Sequence, residues 1–178
     1  MELNRQWGMT IISFSMNIPG PVKDAPIIRR GFQEGCAKIA DRIPSERIKY
    51  QQIIQEKTGC EAVYVVDMEP IAVKKITTAI EDEDCLGRLF DMDVLDESLN
   101  KLDREEVGGK SRDCIVCGAP GRSCASRRIH SVAELQRVTY QILEKYFMEA
   151  DAKWIGSMAV QALLDEVATT PKPGLVDR

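Results

Sequence analysis

Apolar and polar positions along this chain fall into two alternating periods. Met9 to Met16 (MTIISFSM) is an apolar, β-prone run that stops at Pro19-Gly20-Pro21, which predicts a strand entering a rigid turn. From Pro26 the period changes. Ile28, Phe32, Cys36 and Ile39 recur at helical spacing to Ala40, with Asp24 as N-cap and Pro26 in the first turn. Ser45 caps a second predicted helix that reaches Lys57 and ends at Gly59. Ala62 to Asp67 (AVYVVD) is a short continuous apolar run and reads as a buried strand. Pro70 to Ile80 fits two states: its alanines and lysines favour helix, while Ile76-Thr77-Thr78 favours strand.

The acidic run Glu81-Asp82-Glu83-Asp84 follows, then a strand around Asp91-Met92-Asp93, then a polar, loop-like stretch to Arg112. From Ser131 the period is helical: Val132, Leu135, Val138, Ile142, Leu143 and Phe147 share one face. Ser131 as N-cap with Glu134 three residues on completes a capping box. A further helix is predicted over Lys153 to Val167, ahead of the proline-bearing segment Thr170 to Arg178. There are no internal repeats and no low-complexity tract. Strands mixed with amphipathic helices predict an α/β or α+β domain built on a mixed sheet.

Composition narrows the possibilities. The 178 residues are enough for one substantial core, and 44% hydrophobic with 29% charged residues is ordinary for a soluble globular protein. A net charge of −4 argues against broad attraction to nucleic acid or an anionic membrane. Any phosphate site must then be a local basic pocket. No apolar run approaches a membrane span, and Met1 to Arg5 lacks the basic start and apolar stretch of a secretory signal. Six unevenly spread cysteines do not suggest a secreted disulfide scaffold, so a reducing cytoplasm is expected.

Two constellations carry chemistry. The first is Gly87-Arg88-Leu89-Phe90-Asp91-Met92-Asp93-Val94. On a strand, Asp91 and Asp93 emerge on the same face, with Met92 and Val94 opposite. Neighbouring carboxylates repel unless a cation lies between them, and Mg2+ with a polyphosphate suits that pair. Gly87 permits close backbone approach to a phosphate, and Arg88 offers a planar fork of donors. The alternative is a solvated strand face.

The second constellation is Cys114-x2-Cys117-x6-Cys124-x5-His130. Cys-x2-Cys forms a tight turn that offers two thiolates to one tetrahedral Zn2+, and His130 is the protein's single histidine. The alternative is a group of reduced cysteines at a turn. Arg112, Arg122, Arg127 and Arg128 add a local positive patch. It reads either as a solvated face or as a surface for an anionic ligand or an acidic carrier protein.

These residues, in this order, resemble one family: citrate lyase holo-acyl-carrier-protein synthase, the phosphoribosyl-dephospho-CoA transferase of citrate lyase. The resemblance rests on Pro19-Gly20-Pro21-Val22-Lys23 with Arg29-Arg30 and Phe32, on Leu86 through Val94, and on Arg112-Asp113-Cys114-Ile115-Val116-Cys117 with Cys124 and His130-Ser131. It implies a nucleotidyltransferase-like core with flanking helices and a C-terminal helical tail. It also implies transfer of the prosthetic group from 2'-(5''-triphosphoribosyl)-3'-dephospho-CoA to a serine of the apo acyl carrier protein, releasing pyrophosphate. In that reading Asp91 and Asp93 hold Mg2+ and Arg88 contacts the triphosphate. Gly87 gives it room, and Lys23, Arg29, Arg30 and Lys74 are further phosphate contacts.

The family usually reads His-Pro just before Leu-Gly-Arg, where this chain has Asp84-Cys85. If that histidine serves as a base, Asp84 must substitute. Residues 162–178 resemble the start of triphosphoribosyl-dephospho-CoA synthase. The expected organisation is therefore a transferase domain over residues 1–148 and the truncated start of a fused synthase over residues 149–178. Two other functions stay open: a non-catalytic, zinc-bearing scaffold that binds the carrier, and the equivalent transferase for a malonate decarboxylase carrier.

Overall fold

A computed structural model describes residues 8–169, with side chains described to residue 152. Met1 to Arg5 and the Thr170 to Arg178 segment lie outside the described residues. Five strands form one sheet in the order β2-β3-β1-β4-β5: β1 Thr10–Met16, β2 Ile48–Glu56, β3 Gly59–Val66, β4 Phe90–Leu95 and β5 Lys101–Leu102. Each neighbouring pair is antiparallel. The α+β alternative is therefore the one realised, and in place of a mixed sheet the described strands form an antiparallel one. The helices are α1 Pro26–Arg42, α2 Pro70–Asp82, α3 Gly121–Arg127 and α4 Val132–Thr169.

Alternation sets the two faces of the sheet. In register, Phe14 lies beside Met92 on one side and Ala62 on the other, and Ile12 lies beside Val94 and Tyr64. These residues are all buried and form the core face. Against it packs α1: Phe32 stacks on Phe14 with ring centroids 5.0 Å apart, and Phe90 meets Phe14 edge-on at 5.3 Å. The opposite face carries Ser13 and Ser15 beside Asp93 and Asp91.

Several predicted elements stand with adjusted ends. The first strand, the Ala62 strand and the Asp91 strand form, and Pro70 to Ile80 resolves as α2. The Ser131–Glu134 capping box is made on both sides: Glu134 Oε2 accepts from Ser131 N at 2.8 Å, and Glu134 N donates to Ser131 Oγ at 3.2 Å. The two predicted C-terminal helices run as one, α4, of 38 residues. Asp24 does not cap α1. Ala25 holds that position, and the Asp24 carboxylate pairs with Arg29 instead.

The predicted helix over Ser45 to Lys57 is overturned. Only Ser45–Arg47 turns, as a single 3₁₀ turn, and the rest is β2. Ile48, Tyr50, Ile53 and Ile54 are β-branched or aromatic residues that suit a pleated surface. The hairpin to β3 closes at Gly59, whose φ of +136° only glycine adopts easily. The polar stretch before Arg112 also holds structure: β5, and a 3₁₀ turn at Arg104–Val107 with an Asp103–Glu106 capping box.

The chain divides into a unit reaching Leu143 and a second beginning at Glu144. The first holds the sheet with α1, α2 and α3. The second carries the remainder of α4. Among the described residues no helix is long and apolar enough to cross a membrane.

Where α1 crosses the sheet, Gly35 leaves no room for a side chain. A Cβ there would lie 2.3 Å from Phe14 Cζ. Gly35→Ala gains about 1 kcal/mol of helix propensity but forces the fully buried Phe14 ring out of place, an overpacking cost of roughly 1–3 kcal/mol. A lowered urea midpoint is expected, and an unchanged midpoint would mean that the ring pair yields freely.

Candidate active site and metal centre

A cavity of about 710 Å³ opens beside β4. Asp91 and Asp93 line it from the strand, as do Arg88 from the turn before it, Lys74 and Glu81 from α2, and Lys101 from β5. Arg104, Arg112, Arg122 and Arg128 also line it, as do Asp103, Glu105 and Asp113, and Cys114, Cys124 and His130 lie along the same lining. The cavity thus gathers seven lysine and arginine side chains beside six carboxylates inside a chain of net negative charge.

The carboxylates arise as alternation requires. Phe90, Met92 and Val94 are buried, while Asp91 is exposed and Asp93 half-buried on the opposite side. Asp93 Oδ1 lies 2.7 Å from Lys101 Nζ. The hydrogen bond to Asp93 holds the Lys101 ammonium above its usual range. A cation therefore already sits at one of the two carboxylates. Asp91 and Asp93 put oxygen donors of the kind a divalent ion takes on one strand face lining the cavity.

Below this pair lies a network that holds β4 in place. β5 pairs only with Val94 and Leu95, which leaves the outer backbone groups of Phe90 and Met92 without strand partners. Side chains supply the partners. Lys74 Nζ donates to Met92 O at 3.2 Å, Met92 N donates to Glu81 Oε1 at 2.9 Å, and Arg112 Nη1 donates to Phe90 O at 2.6 Å. Glu81 also meets Arg112 Nη2 at 2.7 Å and Arg104 Nη2 at 3.6 Å. Its side chain is 5% exposed, and burial pushes its carboxyl up despite the attraction of Arg112. Burial likewise lowers Lys74, against the pull of Glu81 and Asp93.

Downstream, Cys114, Cys117, Cys124 and His130 bring their ligand atoms within 4.8 Å of one another. Cys117 Sγ lies 3.5 Å from Cys124 Sγ and 3.2 Å from His130 Nε2. Zn–S bonds of about 2.3 Å in a tetrahedron set two sulfurs about 3.8 Å apart, so the spacing suits that ion. Burial alone would raise the Cys114 thiol, but N–H groups of Cys117 and Val116 directed at it, with the neighbouring thiols, bring it to about 7. Cys124 is pushed up to about 11, chiefly by its contact with Cys117. A thiolate-ready Cys114 beside the protonated Cys124 thiol is a pair from which a binding cation releases protons. The cluster is compatible with Zn2+.

Residues 1–146 match the family described as apo-citrate lyase phosphoribosyl-dephospho-CoA transferase. The chain belongs to this family. A protein of Streptococcus pyogenes serotype M5 (strain Manfredo), named probable apo-citrate lyase phosphoribosyl-dephospho-CoA transferase, is 30% identical over 141 residues, covering 78% of this chain and 73% of its own length. The protein of Leuconostoc mesenteroides subsp. cremoris named Protein CitXG is 32% identical over 178 residues, 94% of this chain. That of Haemophilus influenzae with the same name is 28% identical over 178 residues, 99% of this chain. The chain spans 38% of the length of each of these CitXG proteins.

Within this member of the family, the structure brings together Asp91, Asp93, Arg88 and Lys74 around one cavity, with Cys114, Cys124 and His130 on its lining. Lys23, Arg29, Arg30 and Gly87 do not line it. Lys23 donates to the Ile18 carbonyl, and Arg29 pairs with Asp24. Gly87 is small for a packing reason: a Cβ there would lie 2.6 Å from the Glu81 carbonyl oxygen. Asp84 is also engaged, taking Gly87 N at 3.0 Å and pairing with Lys38. It stabilises the turn that aims Arg88, whose guanidinium donates to the Asp113 carbonyl.

Sequence reasoning missed Glu81, Lys101 and Arg104. Glu81 was hidden in an acidic run, yet it lies seven residues after Lys74, two turns along the same helix face. Removing it would strand buried guanidinium and N–H groups. Glu81→Ala is expected to cost roughly 3–5 kcal/mol of stability. Glu81→Gln, which keeps an acceptor for Met92 N, should cost distinctly less. Urea unfolding of the two variants measures the difference, and equal losses would show that the Met92 bond contributes nothing.

Proposed function

We propose that this chain transfers the phosphoribosyl-dephospho-CoA group from 2'-(5''-triphosphoribosyl)-3'-dephospho-CoA to a serine of the apo acyl carrier protein of citrate lyase, releasing pyrophosphate. Family membership supports the group transferred. The observation that carries the chemistry is the pairing of Asp91 and Asp93 on one open strand face, inside a cavity ringed by Arg88, Lys74, Lys101 and further arginines.

In this reading the carrier's serine oxygen forms a bond to the α-phosphorus as the bond from that phosphorus to the pyrophosphate oxygen breaks. The hydroxyl proton passes to solvent. Asp91 and Asp93 are the residues that would hold Mg2+, with Lys101 giving up Asp93. That ion, when bound, offsets charge on the phosphate and the leaving pyrophosphate. Arg88, on the cavity lining and held by its bond to the Asp113 carbonyl, meets the triphosphate. Lys74, fixed to the Met92 carbonyl from below, adds positive potential at the floor. Asp84, tied to Lys38 and the Gly87 amide, is better suited to holding the Arg88 turn than to accepting a proton.

Cys114, Cys117, Cys124 and His130 would hold Zn2+ as a structural ion, because all four positions of a tetrahedron are filled by protein donors. Residues 1–148 form the transferase domain in this proposal, and residues 149–178 the opening segment of a second domain. The family match over residues 1–146 and the alignment of 178 residues with the longer CitXG proteins support that division. The reaction belongs in the cytoplasm, where apo carrier and donor meet.

Two measurements test these assignments. Asp91→Asn and Asp93→Asn should each slow Mg2+-dependent modification of apo carrier by ~100-fold or more, read as mass gain on the carrier and pyrophosphate release, with unfolding unchanged. Near wild-type turnover in both variants would overturn the metal assignment. Metal analysis of the purified protein should find one zinc per chain, lost in Cys117→Ser. A zinc-free wild-type protein would overturn the structural ion.

A further inference from the structure

The segment from Asp113 to His130 forms one side of the cavity, yet only one of its side chains, Cys124, is buried. Its backbone bonds are local: Cys114 N to Ala119 O at 2.7 Å, Gly118 N to Cys114 O at 2.9 Å, Ile129 N to Cys124 O at 3.1 Å. Beyond these it is attached at its root, where Arg112 bonds to Phe90 O and Arg88 to Asp113 O. A segment with so little apolar burial cannot offset the entropy of ordering itself. What it has instead is four ligand atoms gathered within 4.8 Å.

Two arginines from this wall line the cavity. Arg122 lies on α3, two residues before Cys124. Arg128 lies two residues before His130, in the left-handed conformation (φ 50°) that ends α3. Each is therefore placed by a neighbouring ligand of the cluster. They lie on other elements than Lys74 and Lys101, which α2 and β5 carry, and than Arg88, which the turn before β4 carries and which bonds to Asp113 O.

We infer that Arg122 and Arg128 bind the pyrophosphate portion of the donor, and that the metal at Cys114, Cys117, Cys124 and His130 holds them in reach of it. The inference rests on the reading of this cavity as a polyphosphate site. Bound zinc orders the wall and completes the cationic ring. Loss of zinc releases the wall without unfolding the sheet. The wall then acts as a metal-set clamp on the anionic leaving group, and the centre is functional although all four ligand positions are taken by the protein.

Calorimetric titration of the full-length, zinc-loaded chain with inorganic pyrophosphate tests this. Arg122→Ala and Arg128→Ala should each weaken binding about tenfold while zinc content and melting temperature stay unchanged. Cys117→Ser, or chelation of the wild type, should weaken pyrophosphate at least as much, with the far-ultraviolet signal of the sheet retained. Undiminished binding in the two arginine variants, or in the zinc-stripped wild type, would overturn the inference. Failure of the zinc-loaded wild type to bind pyrophosphate at all would overturn the polyphosphate reading beneath it.

Discussion

The outer edge of β4 is the constraint on which the site depends. A strand near the end of a sheet exposes backbone donors and acceptors that need partners once water is excluded. Here β5 is only two residues long and covers only the end of that edge at Val94 and Leu95. Helix α2 covers the next part with side chains, as Lys74 and Glu81 grip the two polar groups of Met92, and Arg112 takes the carbonyl of Phe90. Satisfying the edge this way plants charged residues beside the one strand whose other face presents Asp91 and Asp93. The charges that would meet a phosphate and the bonds that hold the strand belong to the same few side chains.

The two halves of the cavity are stabilised by different physics. On the sheet side, burial of Phe14, Phe32, Phe90 and their neighbours fixes the backbone, so the carboxylates inherit the rigidity of a packed core. On the cysteine side there is almost no core, and order rests on local turns and a cluster of donors. Such a division gives one wall fixed by a packed core and another held by local turns around donors compatible with a metal ion. Asp91 is held by β4, and Arg128 by the end of α3, where its N–H donates to Ala125 O.

Much of this was legible in the sequence wherever one period dominated. Asp-Met-Asp between buried neighbours could only alternate, so the facing carboxylates followed directly. Cys-x2-Cys with one more cysteine and one histidine announced its own geometry, and Ser131 with Glu134 announced the start of α4. The failures share a cause. Ile48 to Glu56 carries glutamines and a lysine that suit a helix, and it becomes a strand because β3 offers an edge, a partner that no local pattern reveals. Glu81 drew no reading of its own in its acidic run, because its role is to answer the Met92 amide eleven residues away. Gly87 and Asp84 read as site residues, and the close passage of the Arg88 turn over the end of α2 gives each a packing role that the sequence did not show. The family match bears out the resemblance carried by Leu86 through Val94 and the cysteine segment, and with it the group that the family transfers.

Strand β2 has a consequence of a different kind. It lies at the end of the sheet opposite β5 with its residues mostly exposed, including Ile53 and Ile54, and among the described strands only β3 pairs with it. The opposite end of the sheet finishes in the two-residue β5 and the side-chain clasps on β4, so nothing of useful length is left to pair there. The sheet can therefore lengthen in one direction only. Two copies joined through β2 would use up the single available edge of each, and growth would stop at two. A fibre needs two open edges per molecule, and among the described residues this sheet has one.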